Sequence, residues 1–134
     1  MRKCAFTLLE LLIVVIVVGI LATIGFVNYS GVKEEALDKE AKVSLKLLQA
    51  AEKIYLMDTG SYYPSDAPIE TNITLLNRNL KLSLPSGSNR QWNYRVWGEA
   101  YGCVDAQRNG GNQREWRLPP LDEEPAPGPC VTPI

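Results

Sequence analysis

A single carboxylate, Glu10, lies near the beginning of a long apolar stretch. No charged residue occurs from position 11 to position 32. A helix of about 22 residues, at ~1.5 Å per residue, would cover the ~30 Å hydrocarbon core of a membrane. A carboxylate in hydrocarbon costs roughly 2.5–3.5 kcal/mol on insertion scales, and no basic residue of the same helix is within reach of Glu10. The sequence therefore predicts a functional role and an external partner for Glu10.

The cysteines are the second group of residues that could have a chemical role. The chain has three cysteines and no histidine, so the commonest general base, the usual catalytic triad and most zinc sites are absent. Cys4 precedes the apolar stretch, whereas Cys103 and Cys130 lie beyond it. If that side is oxidising, this pair would close a loop of about 27 residues and stabilise the fold by about 3 kcal/mol. Two free thiols are the alternative.

Two further groups of side chains offer binding chemistry. Four carboxylates could supply oxygen ligands to calcium, although they match no loop spacing typical of a calcium site: Asp105, Asp122, Glu123 and Glu124. No cofactor is therefore expected, with calcium as the alternative. Five arginines concentrate around the predicted strands: Arg90, Arg95, Arg108, Arg114 and Arg117. They would suit a nucleic acid, but the acidic balance beyond the apolar stretch disfavours that partner.

The apolar stretch is predicted to form a helix that spans a membrane. Residues 1–5 form a basic head that the positive-inside bias keeps in the cytoplasm, and residues 6–32 form the predicted spanning helix. A secretory signal has an apolar region of only about 7–15 residues, whereas this stretch is longer and continues into a charged helix. A lipoprotein signal is excluded because Cys4 precedes the apolar run. Residues 33–134 are then one small globular domain outside the membrane.

The amphipathic pattern of residues 33–58 predicts a second helical half that ends at a Gly60 cap. Its two adjacent apolar stripes are expected to form one wide face that covers a sheet. The first stripe contains Ala36, Val43, Leu47, Ala50, Ile54 and Met57, and the second contains Leu37, Ala41, Leu45, Leu48, Ala51 and Tyr55. The charged residues of this segment, Glu52 among them, are assigned to a solvated face.

Three strands are predicted at residues 91–97, 101–106 and 115–118, as an antiparallel meander with Trp92, Tyr94 and Val96 on one face. Thr71 or Asn72 is expected to cap a short helix before them. Residues 119–134 contain six of the nine prolines and are expected to be neither helix nor central strand. A bond from Cys130 to Cys103 would hold this tail across the sheet.

The segment of residues 3–14, Lys-Cys-Ala-Phe-Thr-Leu-Leu-Glu-Leu-Leu-Ile-Val, resembles the class III signal of type IV pilins and of type II secretion pseudopilins. The resemblance is close over residues 3–29 and persists in pattern to Tyr62-Tyr63-Pro64. It implies an α+β, pilin-like lollipop. In that fold a long N-terminal helix, with a transmembrane and an amphipathic half, packs on the small three-stranded antiparallel sheet at about residues 91–118, and a disulfide closes the C-terminal loop.

The same resemblance implies processing of the N-terminus. A prepilin peptidase would cut between Ala5 and Phe6, remove the basic leader and methylate the new amino group of Phe6. Glu10 would become the fifth mature residue and would pair, in the filament, with the Phe6 amino group of a neighbouring subunit. Residues 6–32 would then serve both as a temporary membrane anchor and as a permanent polymerisation helix.

Two positions depart from the family pattern. The residue before the cut is usually glycine and is Ala5 here, which is small enough for cleavage. A proline usually kinks the helix near its exit from the membrane, where this chain has Val27. Gly19 and Gly25 are then the expected points of helix flexibility, each costing about 1 kcal/mol relative to alanine.

The resemblance implies a structural subunit of a type IV filament and not an enzyme. The favoured role is a type II secretion pseudopilin, and the alternative is a type IV pilus pilin for adhesion, motility or DNA uptake. The expected partners are further copies, related pseudopilins, the prepilin peptidase, an inner-membrane assembly platform and, before assembly, membrane lipid. The expected location is the bacterial inner membrane, with a single pass, a cytoplasmic N-terminus and a periplasmic or extracellular domain, and then the filament.

Overall fold

The computed structural model describes residues 6–26, 29–98, 101–110 and 114–131. The chain divides into two compact units, Met1–Ala36 and Leu37–Ile134. The described part of the first unit is helical, and the second unit combines helices with an antiparallel sheet. The chain is therefore α+β, as the sequence predicted.

The first helix, α1, spans Leu8–Phe26 and begins directly after Thr7. The Thr7 hydroxyl accepts a hydrogen bond from the backbone N–H of Glu10 at 3.3 Å. Thr7 thus acts as an N-cap that satisfies one of the free N–H groups of the first helical turn. Further along, Thr23 satisfies its own hydroxyl inside an apolar helix by donating to the Ile20 carbonyl oxygen at 2.7 Å. The local sequence therefore fixes where α1 begins.

The second helix, α2, spans Tyr29–Thr59, so the apolar segment of residues 6–32 is shared between two helices. Val27 and Asn28 lie outside the described residues, and the prediction that concerns Val27 falls there. In the part of the chain that the structure describes, no single helix is both long and apolar enough to cross a membrane, although α1 and α2 taken together meet that requirement by length and composition.

From Leu37 onward, α2 packs on the sheet through one of the two predicted stripes. Ala41, Leu45 and Leu48 are fully buried, and Ala51 is nearly so. Gly60 ends the helix with a φ of 83°, and its N–H donates to the Leu56 carbonyl oxygen at 2.8 Å, as expected of a glycine cap.

The other predicted stripe does not cover the sheet. All six of its members are exposed: Ala36, Val43, Leu47, Ala50, Ile54 and Met57. At 100° per residue, Ile54 lies roughly 180° around the helix from the buried Leu45, and the two stripes as a whole are centred about 130° apart. The expectation of one wide buried face was therefore wrong. The assignment of Glu52 to the solvated face was also wrong, because its side chain is fully buried.

The sheet has five antiparallel strands in the order β1-β2-β3-β4-β5, where three were predicted. Their ranges are Ile69–Glu70, Trp92–Trp97, Val104–Arg108, Glu115–Leu118 and Ala126–Pro127. The two additional strands, β1 and β5, lie at the edges of the sheet and have two residues each. They are too short to show an alternating pattern in the sequence. The third strand begins at Val104 instead of residue 101, and the edge position of β5 is compatible with its proline.

Side chains alternate between the two faces of β2. Trp92, Tyr94 and Val96 are buried on the face that meets α2, as the sequence predicted. The Trp92 indole N–H donates to the Leu37 carbonyl oxygen at 3.0 Å, which satisfies its polar atom inside the core. Core members from β3 and β4 include Val104, Ala106 and Leu118.

A short helix, α3 (Ile73–Asn79), and the preceding loop close one side of this core. Asn72 caps α3 by accepting the N–H groups of Thr74 and Leu75, which confirms one of the two predicted caps. In the loop, Pro64 lies against Gly98, where any Cβ atom would collide with the Pro64 backbone.

Candidate functional site

The first turn of α1 holds the residues with predicted functional roles. Phe6 precedes the helix and is 70% exposed, and Glu10 is exposed on the first turn. Among the described residues, the Glu10 carboxylate has no hydrogen-bond or ion-pair partner. Ala5, on the other side of the predicted cleavage point, lies outside those residues. The structure thus places an exposed carboxyl group, that of Glu10, near the beginning of the helix.

The remainder of α1 is an exposed apolar surface in the part of the chain that the structure describes. Its large side chains are 48–88% exposed from Leu8 to Ile24. A helix that is apolar on all sides is normally buried in a membrane or in a protein core. Gly19 and Gly25 both lie inside α1, so the structure places these predicted flexible points within continuous helix.

The exposed stripe of α2 within the second unit adds another apolar surface, which we call the outer stripe (Val43, Leu47, Ile54 and Met57). These side chains are 67%, 48%, 58% and 78% exposed. They follow one another at spacings of three, four and seven, so they share one face of α2. Contiguous exposed apolar surface of this kind is typical of a contact with another protein or with membrane.

The predicted disulfide between Cys103 and Cys130 is present, with the two Cα atoms 6.2 Å apart. The tail is also held by hydrogen bonds, since the Cys130 N–H donates to Asp105 and Arg117 Nη1 donates to the Pro129 carbonyl oxygen at 3.2 Å. The tail therefore lies against the sheet, as the cysteine pair suggested.

Asp105 is the hub of a buried polar cluster on the outer face of the sheet. Its carboxylate is fully buried and accepts bonds from Arg95 Nε at 2.6 Å and Nη2 at 3.1 Å, from the Trp97 indole at 3.1 Å and from the Cys130 N–H at 3.3 Å. Burial opposes the charge of Arg95, but the bonds and charges of Asp105 and then Glu115 raise the pKa of its guanidinium. The negative charge of the Asp105 carboxylate and the positive charge of the Arg95 guanidinium thus compensate each other within the fold.

The four carboxylates considered as an alternative calcium site are not brought together. Asp105 is enclosed by its four donors, whereas Asp122, Glu123 and Glu124 are exposed, and Glu124 pairs with Lys46 at 2.7 Å. Within the described ranges, no group of three or more histidine, cysteine, aspartate or glutamate residues is arranged to hold a metal ion.

The arginines considered as a nucleic-acid strip are largely engaged in contacts with other residues of the chain. Arg95 bonds Asp105, and Arg114 Nη1 lies 2.9 Å from an oxygen of Asp38. Arg108 lies over the Trp92 ring, 5.3 Å from its centroid. These contacts leave the arginines poorly placed to track a phosphate backbone.

Two buried carboxylates, Asp105 and Glu52, were not predicted from the sequence. Asp105 alternates correctly for an outward position on β3, and it is enclosed there by Arg95 and Trp97 of β2 together with the tail at Cys130. Unlike the other charged residues around it in α2, Glu52 lies on the same side of the helix as the buried stripe, four residues after Leu48. That spacing was the one available signal, because residues four apart share a helix face.

Comparisons with known proteins agree with these features. Residues 1–26 match the family described as the prokaryotic N-terminal methylation motif. The type II secretion system core protein G of Vibrio cholerae is 37% identical over 73 residues, which is 54% of this chain and 50% of that protein. The type IV major pilin protein PilA of Myxococcus xanthus is 39% identical over 61 residues, 46% of this chain and 28% of that protein.

A longer match reaches into the sheet. The type II secretion system core protein G of Klebsiella michiganensis is 27% identical over 113 residues, covering 78% of this chain and 75% of that protein. No solved structure gives a significant match. In the first two relatives, the matched region spans half of the length or less. In its methylation motif and over these matched regions, the chain is similar to type IV pilins and type II secretion pseudopilins.

Proposed function

We propose that this chain is a pseudopilin, a structural subunit of a type II secretion filament that assembles through α1. The observation that carries the proposal is Glu10, which has no partner among the described residues and lies on the first turn of an exposed apolar helix, inside a methylation motif. Several relatives described as type II secretion core protein G favour the secretion filament over a surface pilus.

Before assembly, α1 and the beginning of α2 would hold the subunit in the bacterial inner membrane in a single pass. The basic head would stay in the cytoplasm and residues from 33 onward would lie on the periplasmic side. A prepilin peptidase would release the leader after Ala5 and methylate Phe6. An inner-membrane platform would then move the subunit from lipid into a filament with further copies and related pseudopilins.

Assembly would cover the surfaces that the chain leaves exposed. In a filament, the apolar side chains of α1 and the outer stripe would exchange lipid or water for neighbouring subunits. Glu10 would meet the methylated amino group of Phe6 from a neighbouring subunit, so that each charge neutralises the other in an apolar environment. This role requires no catalysis and no cofactor from the chain.

A type IV pilus subunit is the second candidate, because the PilA relative matches the same N-terminal region. A DNA-uptake version of that role is less well supported, because Arg95 and Arg114 are paired with carboxylates.

Replacing Glu10 by alanine is expected to leave membrane insertion intact and to reduce filament yield at least tenfold, because the neighbouring amino group would lose its partner. The measurement is the amount of subunit in sheared filaments relative to the membrane fraction, in cells that carry the assembly machinery.

Glu123→Gln is the matched control, because it removes an exposed carboxylate far along the chain from α1. Its filament yield should equal that of the parent chain. Filaments of Glu10→Ala at the parent yield would refute the pairing role of Glu10.

A further inference from the structure

We propose that Glu52 is a protonation-controlled latch: its neutral carboxyl group holds the loop of residues 61–64 to α2, and its ionisation releases that loop. The inference concerns the second compact unit alone and does not depend on the filament role.

The carboxyl group of Glu52 is buried with little compensation. Its side chain is fully buried, and Oε2 accepts the backbone N–H of Tyr63 at 2.9 Å. Oε1 is buried and has no hydrogen-bond partner in the described part of the chain. Charged oxygens in such a position are costly, whereas a neutral carboxyl group is tolerated. Burial accordingly raises the pKa of Glu52 to about 7, although the Tyr63 N–H bond acts in the opposite direction.

The ionisable groups around this site do not offset the charge. On α2, Tyr55 packs its ring against Tyr63, and Lys53 directs its ammonium group to Gln49. On β1, Glu70 is engaged by the N–H groups of Thr71 and Asn72. The cleft beside Tyr63 is also lined by Asp66 and by Arg78 of α3, and neither contributes to the pKa of Glu52.

The residue held by Glu52 connects several elements. The Tyr63 ring packs edge-on against Tyr55 of α2, with centroids 5.5 Å apart. Its hydroxyl accepts a bond from Asn79 of α3 at 2.7 Å and lies 3.4 Å from Glu70 of β1. We call this meeting point the Tyr63 junction. Release of the Tyr63 backbone would therefore loosen contacts with α2, α3 and β1 together.

The direction of the pH effect follows from the two states of the loop. In the closed state the pKa of Glu52 is about 7, and in an open, solvated state it returns to 4.5. The stabilisation of the closed state is fully present below pH 4.5 and is lost as the pH rises through about 7. From pH ~5.5 to pH ~8.5 the opening equilibrium should increase roughly 30-fold.

The test is hydrogen exchange of the full chain in detergent micelles, followed by mass spectrometry of peptides that contain Tyr63. Exchange rates are corrected for the intrinsic effect of pH. The parent chain is compared with Glu52→Gln, which keeps an acceptor for the Tyr63 N–H but cannot ionise, and with Glu123→Gln, which removes an exposed carboxylate.

We expect protection at Tyr63 to fall roughly 30-fold across this range in the parent chain and in Glu123→Gln, with a midpoint near pH 7, and to stay constant in Glu52→Gln. The same pH dependence in Glu52→Gln would overturn the proposal. The parent chain provides an independent test if the variant fails to fold. A flat profile, or a midpoint near pH 4.5, would also overturn the proposal.

Discussion

Asp105→Asn is expected to lower the free energy of unfolding of the second unit by about 3 kcal/mol, because breaking a buried ion pair leaves the Arg95 charge with weaker compensation. Arg95 would lose its carboxylate partner at 2.6 Å and would keep only the longer contact to Glu115, at 3.4 Å. The bond from the Cys130 N–H would also weaken, since its acceptor would no longer be charged.

The measurement is denaturant unfolding of the full chain in detergent, followed by tryptophan fluorescence. All three tryptophans lie in the second unit, so the signal reports that unit. Asp122→Asn is the control: its side chain is exposed, and it should change the free energy of unfolding by less than about 0.5 kcal/mol. A loss below about 1 kcal/mol for Asp105→Asn would contradict the role assigned to the Asp105 cluster.

Replacing both Cys103 and Cys130 by serine is expected to cost about 3.5 kcal/mol, because the bond closes a loop of 27 residues and restricts the unfolded chain. For a unit of this size, that corresponds to a fall in Tm of roughly 15–25 °C. Thermal unfolding monitored by the same tryptophan signal provides the measurement.

Reduction supplies a matched comparison for the disulfide. A reductant should lower the Tm of the parent chain to the value of the double serine variant and should leave that variant unchanged. A parent chain with the same Tm in oxidising and reducing conditions would show that the Asp105 cluster and the tail contacts suffice without the bond.

The elements that follow from local rules could be predicted from the sequence. Asn72 and Gly60 define helix ends through bonds within a few residues, and Trp92, Tyr94 and Val96 reveal their common face by alternation. The pairing of Cys103 with Cys130 could also be predicted, because only two cysteines lie beyond the apolar stretch. Glu10 could be recognised as a candidate functional residue, because a carboxylate in an apolar stretch of membrane length is energetically costly.

The rest depends on contacts between distant segments. The two stripes of α2 are almost equally apolar, so periodicity predicts burial for both, whereas only the stripe with Leu45 packs into the core and the stripe with Ile54 is exposed. Asp105 is enclosed by Arg95 and Trp97 of the neighbouring strand and by a tail 25 residues away, and Glu52 is covered by a loop that returns after Gly60. Charge alone predicts exposure in both cases, and tertiary packing overrides it.

The central claim, that the chain is a processed filament subunit, is tested most directly by co-expression with a prepilin peptidase and intact-mass measurement. We expect a chain that has lost residues 1–5 and gained one methyl group on Phe6. Ala5→Leu is the control and should remain uncut, because a bulky residue replaces the small one before the cleavage point. A parent chain that retains its first five residues in the presence of an active peptidase would contradict the account.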